Sequence, residues 1–133
     1  FGDLTAAKGQ QQPSSSLIRA FSAGGAPATD VIETIFFQSR GNGSDWGDLV
    51  ESCGAGGSAN NSTRAVKAAG ETASAAPAGG ATIDYYDMTS TGNASDFGDT
   101  SEALQGCAGV MSSTRGVFGG DEDPQQIEIL WII

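Results

Sequence analysis

Charged side chains recur along this sequence at spacings that could bring opposite charges together. Three arginines are each followed by an acidic residue inside an apolar stretch, giving the pairs Arg19 with Glu33, Arg64 with Asp84 and Arg115 with Glu128. Such a pair can form a charge-assisted hydrogen bond, and three pairs around one axis could bind a charged ligand. Because the pairs repeat along the chain, whereas an active site breaks such symmetry, we expect them to be structural.

Other kinds of chemistry are restricted by the residue types present. Histidine is absent, so neither a Ser-His-Asp nor a Cys-His nucleophile system can form. The two cysteines, Cys53 and Cys107, are too few and too far apart for a zinc site, and we expect free buried thiols rather than a disulfide. The aspartates of GNGSDWGD and GNASDFGD lack the spacing of a calcium loop and are expected to cap turns. The sequence therefore predicts no enzyme, no metal and no cofactor.

The charge balance narrows the choice of partners. The chain carries 16 acidic against 6 basic residues, a formal charge of −10. This balance does not suit a nucleic-acid surface, because that binding depends on cationic side chains. No apolar run reaches the length of about 18 residues that a membrane helix needs. We therefore expect neither nucleic-acid binding nor membrane insertion.

An internal repeat is the most informative pattern in the sequence. The triplets FGD, WGD and FGD begin at Phe1, Trp46 and Phe97, and an arginine lies eighteen residues after each aromatic residue. Each arginine opens a stretch that ends in glycine, and a loop of variable length then leads to the apolar strand with its acid. The segments QSRGNGSDWGD and TSTGNASDFGD agree in the same register. These matches divide a single repeat region into the units 1–45, 46–96 and 97–133.

Each unit is expected to fold into short β-strands, since no segment shows helical periodicity. The expected strands lie before the arginine, after it, around the acid, and in the SDWGD or SDFGD segment that follows a tight Gly-Asn turn. Four short strands at this period are typical of propeller blades. The sequence therefore predicts an all-β protein, a β-propeller with three four-stranded blades per chain.

The repeat also resembles known families. A glycine doublet after a strand, then an apolar strand, then Trp46 or Phe97 thirteen residues beyond the acid, is similar to a kelch-type blade. The stretches TIDYYDMTSTGNASDFGD and SSTRGVFGG resemble repeats of virion structural and tail-fibre proteins of cyanophages and other marine phages. The likeness spans essentially the whole chain, is tightest over residues 82–120, and departs at QQQPSSS and at ETASAAPAGGA. It implies kelch-like blades in a phage-type virion protein and identifies no ligand.

The third unit lacks the turn and the fourth strand of the other two. The aromatic residue expected thirteen positions beyond Glu128 lies past Ile133, so nothing in the unit follows IEILWII. Residues 1–5, FGDLT, have the sequence of such a fourth strand, and we expect them to cover IEILWII of this or another chain. Three arrangements stay open: a closed assembly such as a six-bladed head-to-tail dimer, an open filament, and a segment of a longer array.

Two sets of surface residues are candidate sites. Variable loops on a repetitive scaffold commonly carry binding, here the loops 26–30, 71–81 and 120–125, with the candidate binding residues Glu71, Thr72, Asp121, Glu122 and Asp123. Glycosylation sequons, relevant to a secreted protein, occur at Asn42, Asn60, Asn61 and Asn93.

These features predict a non-enzymatic structural protein of the virion surface, such as a tail fibre, knob or head decoration. Its expected partners are copies of itself, other virion proteins and host-surface glycans. The alternative is an extracellular filament or adhesin subunit, built by strand donation and carrying glycans. A glycan-active enzyme on a propeller is disfavoured because histidine is absent and the acids are symmetrically placed.

Overall fold

The computed structural model describes residues 2–72, 80–120 and 126–131, and these ranges contain eleven strands and no helix. The all-β prediction is confirmed. Accordingly, none of the described residues belongs to a helix that could cross a membrane. The strands are β1 (Gln12–Ser15), β2 (Arg19–Ala23), β3 (Thr29–Phe36), β4 (Ser44–Gly54), β5 (Gly57–Asn60), β6 (Arg64–Thr72), β7 (Gly80–Asp87), β8 (Ser95–Leu104), β9 (Ala108–Met111), β10 (Arg115–Gly120) and β11 (Gln126–Trp131).

The strands follow the sequence repeat. A short strand comes first (β1, β5 or β9), and a strand opened by arginine follows it (β2, β6 or β10). The acid lies in the third strand (β3, β7 or β11), and the aromatic-Gly-Asp triplet lies in the fourth (β4 or β8). Consecutive strands of each set pair antiparallel, as a meander. From here on a unit means one such meander, so that β4 belongs to the first unit and β8 to the second.

The meanders join into one curved surface. An eight-stranded antiparallel sheet runs in the order β1-β2-β3-β4-β6-β7-β8, with β5 on β6, and it curls strongly into a half-barrel. Strands β9 to β11 form a separate three-stranded sheet. The first strands of the units lie side by side, because β5 contacts both β1 and β9.

Strands β4 and β8 bend at equivalent places. Val31 of β3 pairs with Asp48 of β4, and the next pair is Thr29 with Cys53. Between these two pairs the chain advances five residues in β4 but only two in β3, so β4 contains a bulge. Strand β8 shows the same irregularity opposite β7. Bulges of this kind bend a strand and increase its twist. Beyond the bend, Cys53 pairs with Thr29 of β3 on one edge and with Thr72 of β6 on the other, which connects the first meander to the second.

The hydrophobic core lies between the meanders. Trp46 of β4 meets Phe21 of β2 edge to face, with ring centroids 5.1 Å apart, and its indole nitrogen donates to the Asp87 carbonyl at 3.0 Å. Tyr86 and Met88 of the second unit belong to the same buried cluster. A second cluster joins the second unit to the third, with Phe118 buried against Val66 and Ile83. Each unit therefore depends on its neighbour for a core.

Replacing the aromatic residue of the triplet should have unequal effects in β4 and β8. Trp46 is 4% exposed, whereas its counterpart Phe97 is 38% exposed. Trp46→Ala removes a fully packed side chain and should lower the free energy of unfolding by about 3–5 kcal/mol. Phe97→Ala should cost less than half as much, since much of its surface is already in water. Urea unfolding followed by fluorescence measures both, and equal losses would contradict a core placed between the units.

Candidate functional site

Two equivalent segments lie against the unit that follows each of them. They are residues 2–5, at the start of the chain, and residues 46–50, at the start of β4. We call them the Gly-Asp segments, after Gly2-Asp3 and Gly47-Asp48. Because they contact both a turn and a buried acid of the following unit, they are the candidate functional site of this protein.

Among the described residues, four hydrogen bonds from backbone amides join the second Gly-Asp segment to the second unit, and three of them recur at the first segment. The fourth runs from the Gly92 amide to the Trp46 carbonyl at 3.0 Å. The other three are as follows. The amide of Ala94 donates to the Asp48 carbonyl at 2.7 Å, and the Asp48 amide donates to Oδ1 of Asn93 at 3.1 Å. The Val50 amide donates to Oδ2 of the buried Asp84 at 3.1 Å. The segment thus reaches both the Gly-Asn turn and the acid of the next unit.

The first Gly-Asp segment makes the same three bonds with the first unit. The Gly43 amide donates to the Asp3 carbonyl at 2.8 Å, and the Asp3 amide donates to Oδ1 of Asn42 at 3.1 Å. The Thr5 amide donates to Oε1 of the buried Glu33 at 2.8 Å. Residues 2–5 therefore occupy the place that the fourth strand of a preceding unit would occupy.

Close backbone contact explains the glycine of these segments. Gly47 has φ +154°, and a Cβ atom added there would lie 2.2 Å from the Gly92 carbonyl oxygen. A Cβ atom on Gly2 would lie 2.2 Å from Oδ1 of Asn42. Any side chain at either position would push the segment off the turn that it contacts.

The asparagine side chains of the four sequons have a structural role that the sequence analysis missed. Asn42 and Asn93 are exposed, but each accepts the amide hydrogen of a Gly-Asp segment, as described above. Asn60 donates to the Ser15 carbonyl at 2.7 Å, and Asn61 donates to the Ser113 carbonyl at 3.2 Å. Glycans at Asn60 or Asn61 would replace an amide hydrogen used between units. The fixed place of Asn42 and Asn93 in the repeat is the signal that could have indicated their role.

The expected arginine–acid pairs are wrong for the first two units. Across β2 and β3, Arg19 lies opposite Phe36 while Glu33 lies opposite Ser22, three residues further along. Residues three apart in a strand point to opposite faces of the sheet, so the arginine and the acid cannot meet. Instead, the Arg19 guanidinium stacks on the Phe36 ring, 3.7 Å from its centroid, and also faces Trp46.

The same offset recurs in the other units. Arg64 pairs in register with Asp87, and its guanidinium lies 4.9 Å from the centroid of the Tyr85 ring. Arg115 lies opposite Trp131 in the backbone register, and Phe118 lies opposite Glu128. The repeated arginine is therefore placed to stack on an aromatic side chain in the first two units, a cation–π contact that the sequence analysis did not predict.

Lysines, rather than arginines, accompany the buried acids. Lys8 forms an ion pair with Glu33, with Nζ 3.0 Å from Oε2. Lys67 is buried in β6 directly opposite Asp84. Burial raises the pKa of Asp84, and the Lys67 ammonium and the Val50 amide oppose that rise. Burial likewise raises the pKa of the Cys53 thiol, opposed by Lys67.

The remaining predicted sites have mixed outcomes. Cys53 and Cys107 are buried thiols that are not joined in a disulfide, as predicted. Thr72 is buried in β6, so its interpretation as a loop residue is wrong. Glu71, also in β6, lines a pocket of about 370 Å³ together with the loop that contains Pro27, so the variable regions of the first two units meet there. The predicted sites Asp121, Glu122 and Asp123 lie outside the described residues.

Comparison with known proteins leaves the repeat as the main guide to function. No protein-family model matches the chain, and a search of curated proteins finds no match. Among the described residues, no three His, Cys, Asp or Glu side chains are grouped so that they could hold a metal ion. The likeness to phage repeats stays a prediction.

The raised pKa of Asp84 predicts a pH effect on stability. In the unfolded chain this carboxyl ionises near 3.8, whereas the folded protein keeps it protonated to higher pH. The folded state then binds more protons than the unfolded state, so the contribution of Asp84 to stability falls as pH rises from 3.8 through the raised pKa. Asp84→Asn cannot ionise, so its free energy of unfolding should increase relative to the wild type over that range.

Asp87→Asn is the matched control for this measurement. Hydrogen bonds from Thr89 lower the pKa of Asp87, so its contribution to stability is lost as pH falls, the opposite direction. Urea unfolding between pH 3 and pH 7, a range of about four units around the ordinary carboxyl pKa, compares the three proteins. Parallel profiles of wild type and Asp84→Asn would contradict the account.

Proposed function

We propose that this chain is a non-enzymatic structural protein built from β-propeller blades, which joins copies of itself by strand addition. The four-stranded meanders β1–β4 and β5–β8 and the side-by-side first strands support a blade arrangement. Burial of the core between units supports a scaffold whose stability comes from neighbour contacts, as in other repeat proteins.

The exposure of one isoleucine carries this proposal. Ile32 in β3 and Ile83 in β7 are 0% and 1% exposed, while their counterpart Ile127 in β11 is 75% exposed. Ile32 and Ile83 are each paired with the glycine of a Gly-Asp-containing fourth strand, Gly47 or Gly98. In the described part of the chain, β11 pairs only with β10. Its outer edge therefore has the backbone groups and the apolar side chain that a fourth strand would cover.

The first Gly-Asp segment has the sequence and the contacts expected of a fourth strand that would pair with β11. Residues 46–50 contact two neighbours. They pair with β3 on one edge and form hydrogen bonds with the second unit on the other. Residues 2–5 make the second set of bonds, and no described strand pairs with their other edge. Applying the register of β3 and β4, Gly2 of one copy would lie opposite Ile127 of the next, and Asp3 opposite Gln126.

The resemblance of the repeat to virion proteins of marine phages supports placing this scaffold on a virion surface, as a tail fibre, knob or head decoration. In that setting the first role is assembly, and the pocket between the loop at Pro27 and Glu71 is the place for attachment to host-surface glycans. The exposed Asn42 and Asn93 favour a second candidate, an extracellular filament or adhesin subunit that uses the same strand addition and carries glycans.

Mixing two cysteine variants tests the strand addition. Asp3→Cys and Gln126→Cys, each introduced in a separate chain, should form a disulfide-linked pair under mild oxidation, because antiparallel partners come close enough for a disulfide bond. Non-reducing electrophoresis detects the pair. Ser90→Cys, at an exposed position in the second unit, is the control that should not trap Gln126→Cys.

The trapping result first tests the contact between copies and then allows a closed particle to be distinguished from a filament. Equal trapping by Asp3→Cys and Ser90→Cys, or trapping by neither, would overturn the proposed contact between copies. When trapping is specific, electron microscopy of the trapped material distinguishes a closed particle from a filament. A heterologous contact closes into a ring only if its rotation permits, and otherwise extends without limit.

A further inference from the structure

Both lysines of this chain are buried beside a repeated acid. Lysine side chains are almost never fully buried unless they are paired, yet Lys8 lies beside Glu33 and Lys67 lies opposite Asp84. The two lysines come from different positions of the repeat, Lys8 from the segment before β1 and Lys67 from β6. The first pair is the closer one, with Nζ 3.0 Å from Oε2 and with side chains that are 4% and 0% exposed.

The two oxygens of the Glu33 carboxyl have different partners. Oε1 accepts two hydrogen bonds from one residue, from the Thr5 amide at 2.8 Å and from the Thr5 hydroxyl. Oε2 faces the Lys8 ammonium and has no hydrogen-bond partner among the described residues beyond that ion-pair contact. One oxygen is thus held by two donors, while the other lies beside an amine.

We propose that Lys8 and Glu33 join in an intramolecular amide bond between Nζ and Cδ. A proton passes from the Lys8 ammonium to Oε2, which leaves a neutral amine beside a neutral carboxylic acid. Nζ then attacks Cδ, and the negative charge develops on Oε1. As the C–Oε2 bond breaks, Oε2 takes a second proton from Nζ and leaves as water. The ammonium and the carboxylate thus become one amide and one water, and no oxidant or cofactor takes part.

The surroundings of the pair favour this reaction over a simple ion pair. Holding the amine against the carboxyl replaces a bimolecular step by an intramolecular one, an advantage that can reach about 10⁵ M in effective concentration. The two Thr5 donors are aimed at the oxygen on which charge develops, which is the arrangement of an oxyanion hole. Burial also excludes the water that would reverse the reaction. A buried ion pair alone stabilises little, because both charges have lost their hydration.

The second lysine supplies a control. Lys67 Nζ donates to the Thr82 carbonyl at 3.4 Å and interacts with the Cys53 thiol, and the described ion pairs do not include one between Lys67 and Asp84. Among the described residues, Oδ2 of Asp84 accepts one amide hydrogen, that of Val50, so no pair of described donors converges on a single carboxyl oxygen there. Lys67 is therefore buried beside an acid without the geometry for attack.

The amide would fasten residues 2–8 to the first unit and so fix the Gly-Asp segment in place. This inference does not depend on contacts between copies, because the bond forms within one chain. Loss of the cross-link and loss of assembly are therefore separate observations, the first measured as a mass and the second by trapping.

Intact mass under denaturing conditions tests the proposal. The wild-type chain should be lighter than its sequence requires by the mass of one water molecule. Trypsin should yield a branched product that joins residues 1–19 to residues 20–40, since an amidated Lys8 is no longer cleaved. A wild-type chain with its full sequence mass, or a water loss that maps to other residues, would overturn the proposal and leave only the ion pair.

Substitutions distinguish the proposed amide bond from a simple ion pair between Lys8 and Glu33. Lys8→Arg keeps the positive charge but removes the amine, so the water loss should vanish, whereas it should persist in Lys67→Arg. Thr5→Val removes one donor to Oε1 and should slow amide formation on the order of a hundredfold, so that freshly purified protein still contains unreacted chain. Thr5→Ser keeps the hydroxyl and should react as the wild type does. Persistence of the water loss in Lys8→Arg would refute the assignment.

Discussion

The structure depends on a buried carboxylate in one unit that accepts a backbone amide hydrogen from the segment before it. A carboxylate inside an apolar core is unfavourable unless it is hydrogen-bonded or paired. Glu33 and Asp84 obtain their partner from Thr5 and Val50, which belong to the preceding Gly-Asp segments. One carboxyl oxygen of each acid therefore has this hydrogen-bond donor only when that segment is in place. This requirement couples the folding of one unit to the position of its neighbour.

Several features of the repeat follow from this coupling. The glycine of each segment allows its backbone to touch the next turn, and the turn asparagine holds the following amide. In β4 the aromatic residue before the glycine, Trp46, enters the core between units. At β11, by contrast, the isoleucine that should be covered is largely exposed. The same interaction that orders the units inside the chain thus explains how copies could join.

The sequence predicted the strands well and the contacts between them less well. Strand positions could be predicted because the repeat supplies three versions of the same pattern, and tight Gly-Asn turns mark the hairpins. The pairing of Arg19 with Glu33 was wrong because distance along the chain does not reveal which face of a hairpin each residue occupies. That face depends on the register of the strands. In the first unit Arg19 lies opposite Phe36, and Glu33 is three residues from Phe36 in the same strand, so it points to the other face. The lysines were missed because Lys8 and Lys67 occupy different positions in the repeat.

Hydrogen exchange provides the most direct test of the claim that residues 2–5 and β11 are the two halves of one contact. Amide exchange in both segments would be followed by mass spectrometry across a dilution series of the intact protein. The account predicts that exchange in residues 2–5 and 126–131 slows together as concentration rises, while exchange in the paired interior strands β6 and β7 does not change. Exchange that is independent of concentration in both segments, or that slows in only one of them, would contradict it.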